Sequence, residues 1–140
     1  MPIKKASAIW KGDLKSGKGT MKLGSGSYEG AYSFATRFED KEGSNPEELI
    51  GAAHAGCFSM AFSNELDKAG FTPNSVETNA EVTLDPSAGG ITNIKLISKG
   101  NVPGIDEAKF QEIANAAKEG CPVSKALKAV NIELDATLVN

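Results

Sequence analysis

Residues 45–70 read NPEELIGAAHAGCFSMAFSNELDKAG, and the reading of this stretch decides the fold. Asn45 is a capping residue, Pro46 suits the first helical position, and Glu47 and Glu48 complement the positive end of a helix dipole. From Leu49 through Ser63 the side chains are apolar or small nearly all round, with Ile50, Ala55, Cys57, Phe58, Met60 and Phe62 on different faces. A helix apolar on every face is buried on every face. Gly51, Ala52, Ala55 and Gly56 permit close approach of neighbouring elements. The stretch turns polar at Asn64-Glu65 and stops at Gly70, a favoured residue just past a helix end. One long, buried central helix is expected over residues 46–69. A chain of 140 residues seldom surrounds such a helix alone, so burial by a second copy is expected.

Strands are expected on the N-terminal side. Ala6–Trp10 alternates loosely, Gly17–Leu23 follows a Gly/Lys turn, and Tyr28–Phe38 carries Tyr32, Phe34 and Phe38. The glycines at 17, 19, 24, 26 and 30 punctuate them as turns of an antiparallel meander. Beyond the helix, Ser75–Leu84 alternates at Val76, Thr78, Ala80, Val82 and Leu84, and Ile91–Ser98 follows across the loop 85–90. Asp106 caps a helix through Lys118, with Phe110, Ile113, Ala114 and Ala117 at helical spacing. Gly120 ends it, Cys121-Pro122 opens a short helix over Val123–Ala129, and Asn131–Val139 is a last strand. The fold class is α+β, with antiparallel layers around the helix, in a single domain spanning residues 1–140.

Composition removes several function classes. The apolar fraction of 40% and charged fraction of 24% are those of an ordinary globular protein, and the net charge is -3. No basic concentration points to nucleic acid. No apolar run approaches the ~20 residues that span a bilayer. The basic N-terminus lacks the apolar core of a secretory signal, so a cytoplasmic location is expected.

Two cysteines, Cys57 and Cys121, stand 64 positions apart with no CxxC pairing. Burial as inert core thiols is one reading. In a reducing compartment a transient, catalytic pairing is the other. Cys121 lies at a helix mouth, beside free backbone N–H groups that lower a thiol pKa. Cys57 lies mid-helix, where the amides are already bonded, and needs another group to hold a thiolate. Of the 15 Lys and Arg residues only Arg37 is arginine, with a planar fork of donors. Glu47, across the loop 38–46, is placed to orient it in a bidentate pair. Such an arginine would lower a sulfur's pKa and polarise a peroxide O–O bond.

Glu47 and Cys57 are ten residues apart on one helix, about 15 Å along its axis and about 80° around it. A glutamate cannot span that distance within its own chain, so Glu47 and Arg37 are expected to serve the Cys57 of another subunit. His54 precedes Cys57 by three positions and offers a Cys–His hydrolase pair, though no acidic third member is evident. A satisfied, partly buried histidine is the reading preferred. His54, Cys57 and Cys121 form a weak zinc set. No cofactor or metal is expected. A non-catalytic oligomeric stress protein is the remaining alternative.

Several stretches resemble the OsmC/Ohr family of osmotically inducible and organic hydroperoxide resistance proteins. They are Thr36-Arg37-Phe38, residues 43–61 (GSNPEELIGAAHAGCFSMA), Val102-Pro103-Gly104-Ile105 and Gly120-Cys121-Pro122-Val123-Ser124. The wording of residues 45–61 is closer to the OsmC branch. The resemblance implies an intertwined homodimer with its active sites at the subunit interface. It implies a peroxidatic Cys57, a resolving Cys121, and an Arg37 and Glu47 that activate the thiolate. The implied cycle passes through a Cys57 sulfenic acid and a Cys57–Cys121 disulfide that a dithiol reductant, with a lipoyl-type carrier as the candidate, reopens. Organic hydroperoxides, with hydrogen peroxide, are the implied substrates.

Overall fold

A computed structural model describes residues 1–139. Its backbone falls into two compact units, Met1–Leu49 and Ile50–Asn140.

The first unit is an antiparallel meander of β1 (Ala6–Lys11), β2 (Lys18–Leu23) and β3 (Glu29–Tyr32), followed by a short helix α1 (Phe34–Phe38). The sequence predicts strand through Phe38, and here the structure differs. Ser33 and Thr36 close a reciprocal capping box, in which the Ser33 hydroxyl accepts from the Thr36 amide and the Thr36 hydroxyl accepts from the Ser33 amide. Those two bonds satisfy helix-start donors that a strand would have left for a neighbour. Trp10 and Tyr32 pack at 5.4 Å across the sheet. Gly19 and Glu47 are the buried residues of this unit, and neither contributes an apolar side chain.

Helix α2 (Pro46–Lys68) starts at the end of the first unit and is unbroken at Gly51. Asn45 caps it, its Oδ1 accepting from the Glu48 amide at 2.8 Å. Gly70, at φ +91°, ends it, and the Phe71 amide returns to the Leu66 carbonyl at 2.9 Å. A Cβ at Gly51 would stand 3.3 Å from Val82 Cγ2, so the helix lies almost against the strand beneath it.

The second unit holds the core. Strands β4 (Ser75–Asp85) and β5 (Gly90–Asn101) pair antiparallel, and β6 (Asn131–Leu138) adds to β5 in parallel. This parallel edge departs from the antiparallel layers read in the sequence. The chain between β5 and β6 is occupied by α3 (Glu107–Gly120) and α4 (Pro122–Ala126), and a helical crossover of that length returns the strand in the same direction. Phe58 and Phe62 of α2 and Phe110 of α3 are fully buried and stack in series at 5.6 and 5.2 Å. Leu66, Ile94, Leu96, Val102 and Ala114 close the core around them. The face of α2 with Ala52, Ala53, Gly56 and Met60 is exposed within the chain, Met60 at 77%, so this helix is not buried on every side by its own chain.

Candidate active site

Each unit carries half of the sequence-derived site. In the first, α1 and the start of α2 bring Arg37 and Glu47 together. The Asn45 side-chain amide donates to the Thr36 carbonyl at 3.0 Å and so ties the end of α1 to the cap of α2. Arg37 Nε then donates to Glu47 Oε1 at 2.9 Å. The contact is through Nε alone and is not the two-pronged pairing expected from the sequence. The terminal nitrogens of the guanidinium therefore remain for another acceptor. The Arg37 side chain is 38% exposed while that of Glu47 is 10% exposed, so an anchored carboxylate holds an accessible cation. The guanidinium also lies over the Phe38 ring at 5.3 Å, which limits its swing. Glu47 Oε2 is buried and has no hydrogen-bond partner among the described residues.

In the second unit, α2 and the turn between α3 and α4 bring the thiols together. Cys57 Sγ and Cys121 Sγ are 2.9 Å apart and unbonded. Cys121 is fully buried, whereas Cys57 is half-buried and opens into a cleft of about 510 Å³. Met60, Ala61, Asn64, Ala117 and Pro122 line this mostly apolar cleft. Burial pushes the Cys57 thiol up, reinforced by its contact with Cys121 and only partly opposed by the Val123 amide. Burial acts upward on Cys121 too. There, contacts from Cys57, from the amide and hydroxyl of Ser124 and from the Val123 amide outweigh it, so the net shift is down. No capping hydrogen bond to the neutral Cys121 sulfur is closed at the start of α4. These donors thus act on the charged form of the sulfur. Taken alone, the second unit favours negative charge on Cys121, and no cation among its described residues acts on Cys57.

His54 is fully buried, and its Nε2 meets Ser124 Oγ at 2.7 Å. Its Nδ1 has no hydrogen-bond partner among the described residues, so the ring is not paired with Cys57 as a hydrolase dyad requires. Sequence reasoning missed Ser124, which lies 70 residues from its partner and inside the otherwise familiar CPVS block. No group of three or more His, Cys, Asp or Glu side chains able to hold a metal ion is present among the described residues. None of the described helices is long and apolar enough to cross a membrane.

Comparison with known proteins adds relatives. The profile of the OsmC-like protein family matches residues 39–135, a span that includes Glu47, Cys57 and Cys121. The chain is 56% identical to Peroxiredoxin OsmC of Escherichia coli over 135 residues, covering 94% of each chain. It is 34% identical to Organic hydroperoxide resistance protein OhrB of Bacillus subtilis over 99 residues, 69% of this chain and 72% of the relative. Among solved structures, an OsmC-like protein from Mycoplasma pneumoniae superposes with a TM-score of 0.75 at 18% identity, covering 99% of each chain, and so shares the fold. The OhrB structure from Bacillus subtilis superposes with a TM-score of 0.65 at 26% identity, covering 96% of this chain and 98% of that one.

Proposed function

The chain belongs to the OsmC family, and on that premise we propose a hydroperoxide reductase in which Cys57 attacks and Cys121 resolves. It is a cysteine-based peroxidase acting on hydroperoxides. The observation that carries the residue roles is the 2.9 Å approach of a cleft-facing sulfur to a buried one.

The chemistry balances on these groups. The Cys57 thiolate attacks one peroxide oxygen, the S–O bond forms as the O–O bond breaks, and the alkoxide leaves as an alcohol after taking a proton from solvent. Two electrons have passed from sulfur to peroxide, and Cys57 is a sulfenic acid. The Cys121 thiolate attacks the Cys57 sulfur, the S–S bond forms, and hydroxide leaves to become water. An external dithiol, with a lipoyl-type carrier as the candidate, supplies two electrons and restores both thiols. The apolar lining of the cleft favours organic hydroperoxides over hydrogen peroxide.

Cys57 needs a cation that its own unit lacks, and Arg37, steadied by Glu47, is that cation in our reading. Ten residues of unbroken helix, about 15 Å, separate Glu47 from the Cys57 of the same chain. The arginine is therefore assigned to the partner's thiol in a homodimer. Two further observations support the dimer. The first unit has no apolar core of its own, and α2 exposes Ala52, Ala53, Gly56 and Met60. An isolated three-stranded sheet without a buried face is marginal in water. The two units are read as one functional domain, because the family match runs across their junction. A reducing, cytoplasmic setting fits two free thiols.

Free thiols are counted after stoichiometric cumene hydroperoxide is added to the reduced protein. Loss of both thiols together with the peroxide is expected. Both thiols surviving while peroxide persists would end this reading.

A further inference from the structure

The buried ring of His54 is not used by the mechanism above, yet it is among the largest fully buried side chains of the chain. A polar ring placed in a core costs free energy unless its hydrogen bonds do something. Its contact, Ser124, is itself only 6% exposed. Ser124 stands at the third position of α4 and Cys121 at the N-cap. Those are the N-cap and N3 positions of one short helix, the pair that a capping box brings close together.

We propose that His54 and Ser124 form a buried positioning pair for Cys121, in which His54 Nε2–H donates to Ser124 Oγ and leaves the single serine proton to donate to the Cys121 sulfur. The assignment follows from counting protons. A serine hydroxyl has one donor and two acceptor sites. If Ser124 donated to His54, its proton would be spent, Cys121 would lose a donor, and Nδ1–H would be a buried donor facing no acceptor. That arrangement makes one hydrogen bond. With the proton on Nε2, the His54–Ser124 bond is kept, the serine proton is free to turn to the sulfur once Cys121 is charged, and only an acceptor at Nδ1 goes unused. An unmade buried hydrogen bond is expensive, so the second arrangement wins. The direction of the Cys121 shift, in which the Ser124 hydroxyl takes part, agrees with it.

The consequence lies in the second chemical step and rests on the peroxidase reading. His54, carried by the same helix as Cys57, orders the hydroxyl that steadies the Cys121 thiolate as it attacks the Cys57 sulfur. The S–S bond forms, hydroxide leaves, and solvent protonates it. His54 touches neither sulfur's reacting partner, so it is a positioning residue. It acts on disulfide closure and not on the reaction of Cys57 with peroxide.

Two measurements test this. In a Cys57→Ser background, the ultraviolet thiolate absorbance of Cys121 is titrated with pH. In the full protein, rapid mixing with cumene hydroperoxide resolves Cys57 oxidation from disulfide closure. Ser124→Ala and His54→Leu are expected to move the Cys121 titration upward and slow closure about tenfold, with Cys57 oxidation unchanged. His54→Gln, whose amide N–H can still reach Ser124, should recover most of both. An unmoved titration in Ser124→Ala, which removes a single oxygen atom and disturbs the packing least, would overturn the proposal. Closure as slow in His54→Gln as in His54→Leu would do the same. Should wild-type protein consume no hydroperoxide, the peroxidase reading falls and the titration alone decides the pair.

Discussion

The two halves of this chain solve opposite problems. Residues 50–139 build a core from Phe58, Phe62 and Phe110 and close two sulfurs to 2.9 Å inside it. Residues 1–49 bury only Gly19 and Glu47, and spend their order on holding one arginine by one carboxylate. The thiol half has a core of its own, and no positive charge among its described residues acts on Cys57. The arginine half has the charge and lacks a core. Each has what the other is missing, which is the pattern expected of a chain whose halves meet their complements in a second copy.

The sharpest way to break that comparison is to separate the halves genetically. Arg37→Ala is expected to lose about 10²–10³ in peroxidase rate, the usual effect of removing one donor from developing negative charge. Mixing it with Cys57→Ser by co-refolding should then return roughly a quarter of wild-type activity, because half of a random mixture is heterodimer with one of its two sites whole. Two dead variants that stay dead when mixed would place arginine and thiol in the same chain.

Packing separates the halves next. Phe62→Ala should cost about 3–5 kcal/mol in denaturant unfolding, since the ring is fully buried between two others. Ile9→Ser, at a residue 54% exposed in the chain, should leave that stability nearly intact and weaken the proposed dimer in light scattering. Equal losses of unfolding stability from both would contradict a core confined to the second half.

Acid acts on the second half through His54. Burial holds this imidazole below its ordinary 6.5, so the native chain stays neutral where the unfolded chain takes up a proton. Above pH 6.5 neither state is protonated and the residue contributes no pH dependence. Below that, stability falls as pH falls, until the lower native value is reached. Denaturant midpoints against pH should show this loss in the wild type and a smaller one in His54→Gln; parallel curves would sink the assignment. The smallest effect is expected from Lys68→Ala. Its bridge to Glu65 joins side chains 64% and 39% exposed, and the change in unfolding stability should stay within about 0.5 kcal/mol.

Some of this was legible in the sequence and some was not, for identifiable reasons. The Asn45 cap, Pro46 and Gly70 bounded α2 closely, because caps and stops are local chemistry. Alternation placed Val76, Ala80 and Val82 on the inner face of β4, because period two is written directly in residue order. Tyr32, Phe34 and Phe38 suggest a strand where helix α1 stands, although Ser33 and Thr36 spell a capping box. The parallel direction of β6 depends on a crossover, and the Ser124 contact depends on residues 70 apart meeting in space. Neither leaves a mark in local pattern. Arg37 and Glu47 were singled out by residue type, but the single Nε contact that frees the rest of the guanidinium could come only from coordinates.

The closeness of the two sulfurs has a kinetic meaning of its own. A thiolate held 2.9 Å from the sulfur it must attack behaves as a reagent at very high effective molarity, for which well-oriented intramolecular reactions reach about 10⁵–10⁸ M. A second peroxide molecule, present at far lower concentration, must win a race against it to drive Cys57 on to the irreversible sulfinic acid. In the cycle proposed, no segment needs to unfold before the disulfide closes. Resistance to inactivation at high oxidant load would then be fixed by the resting geometry, before any peroxide arrives.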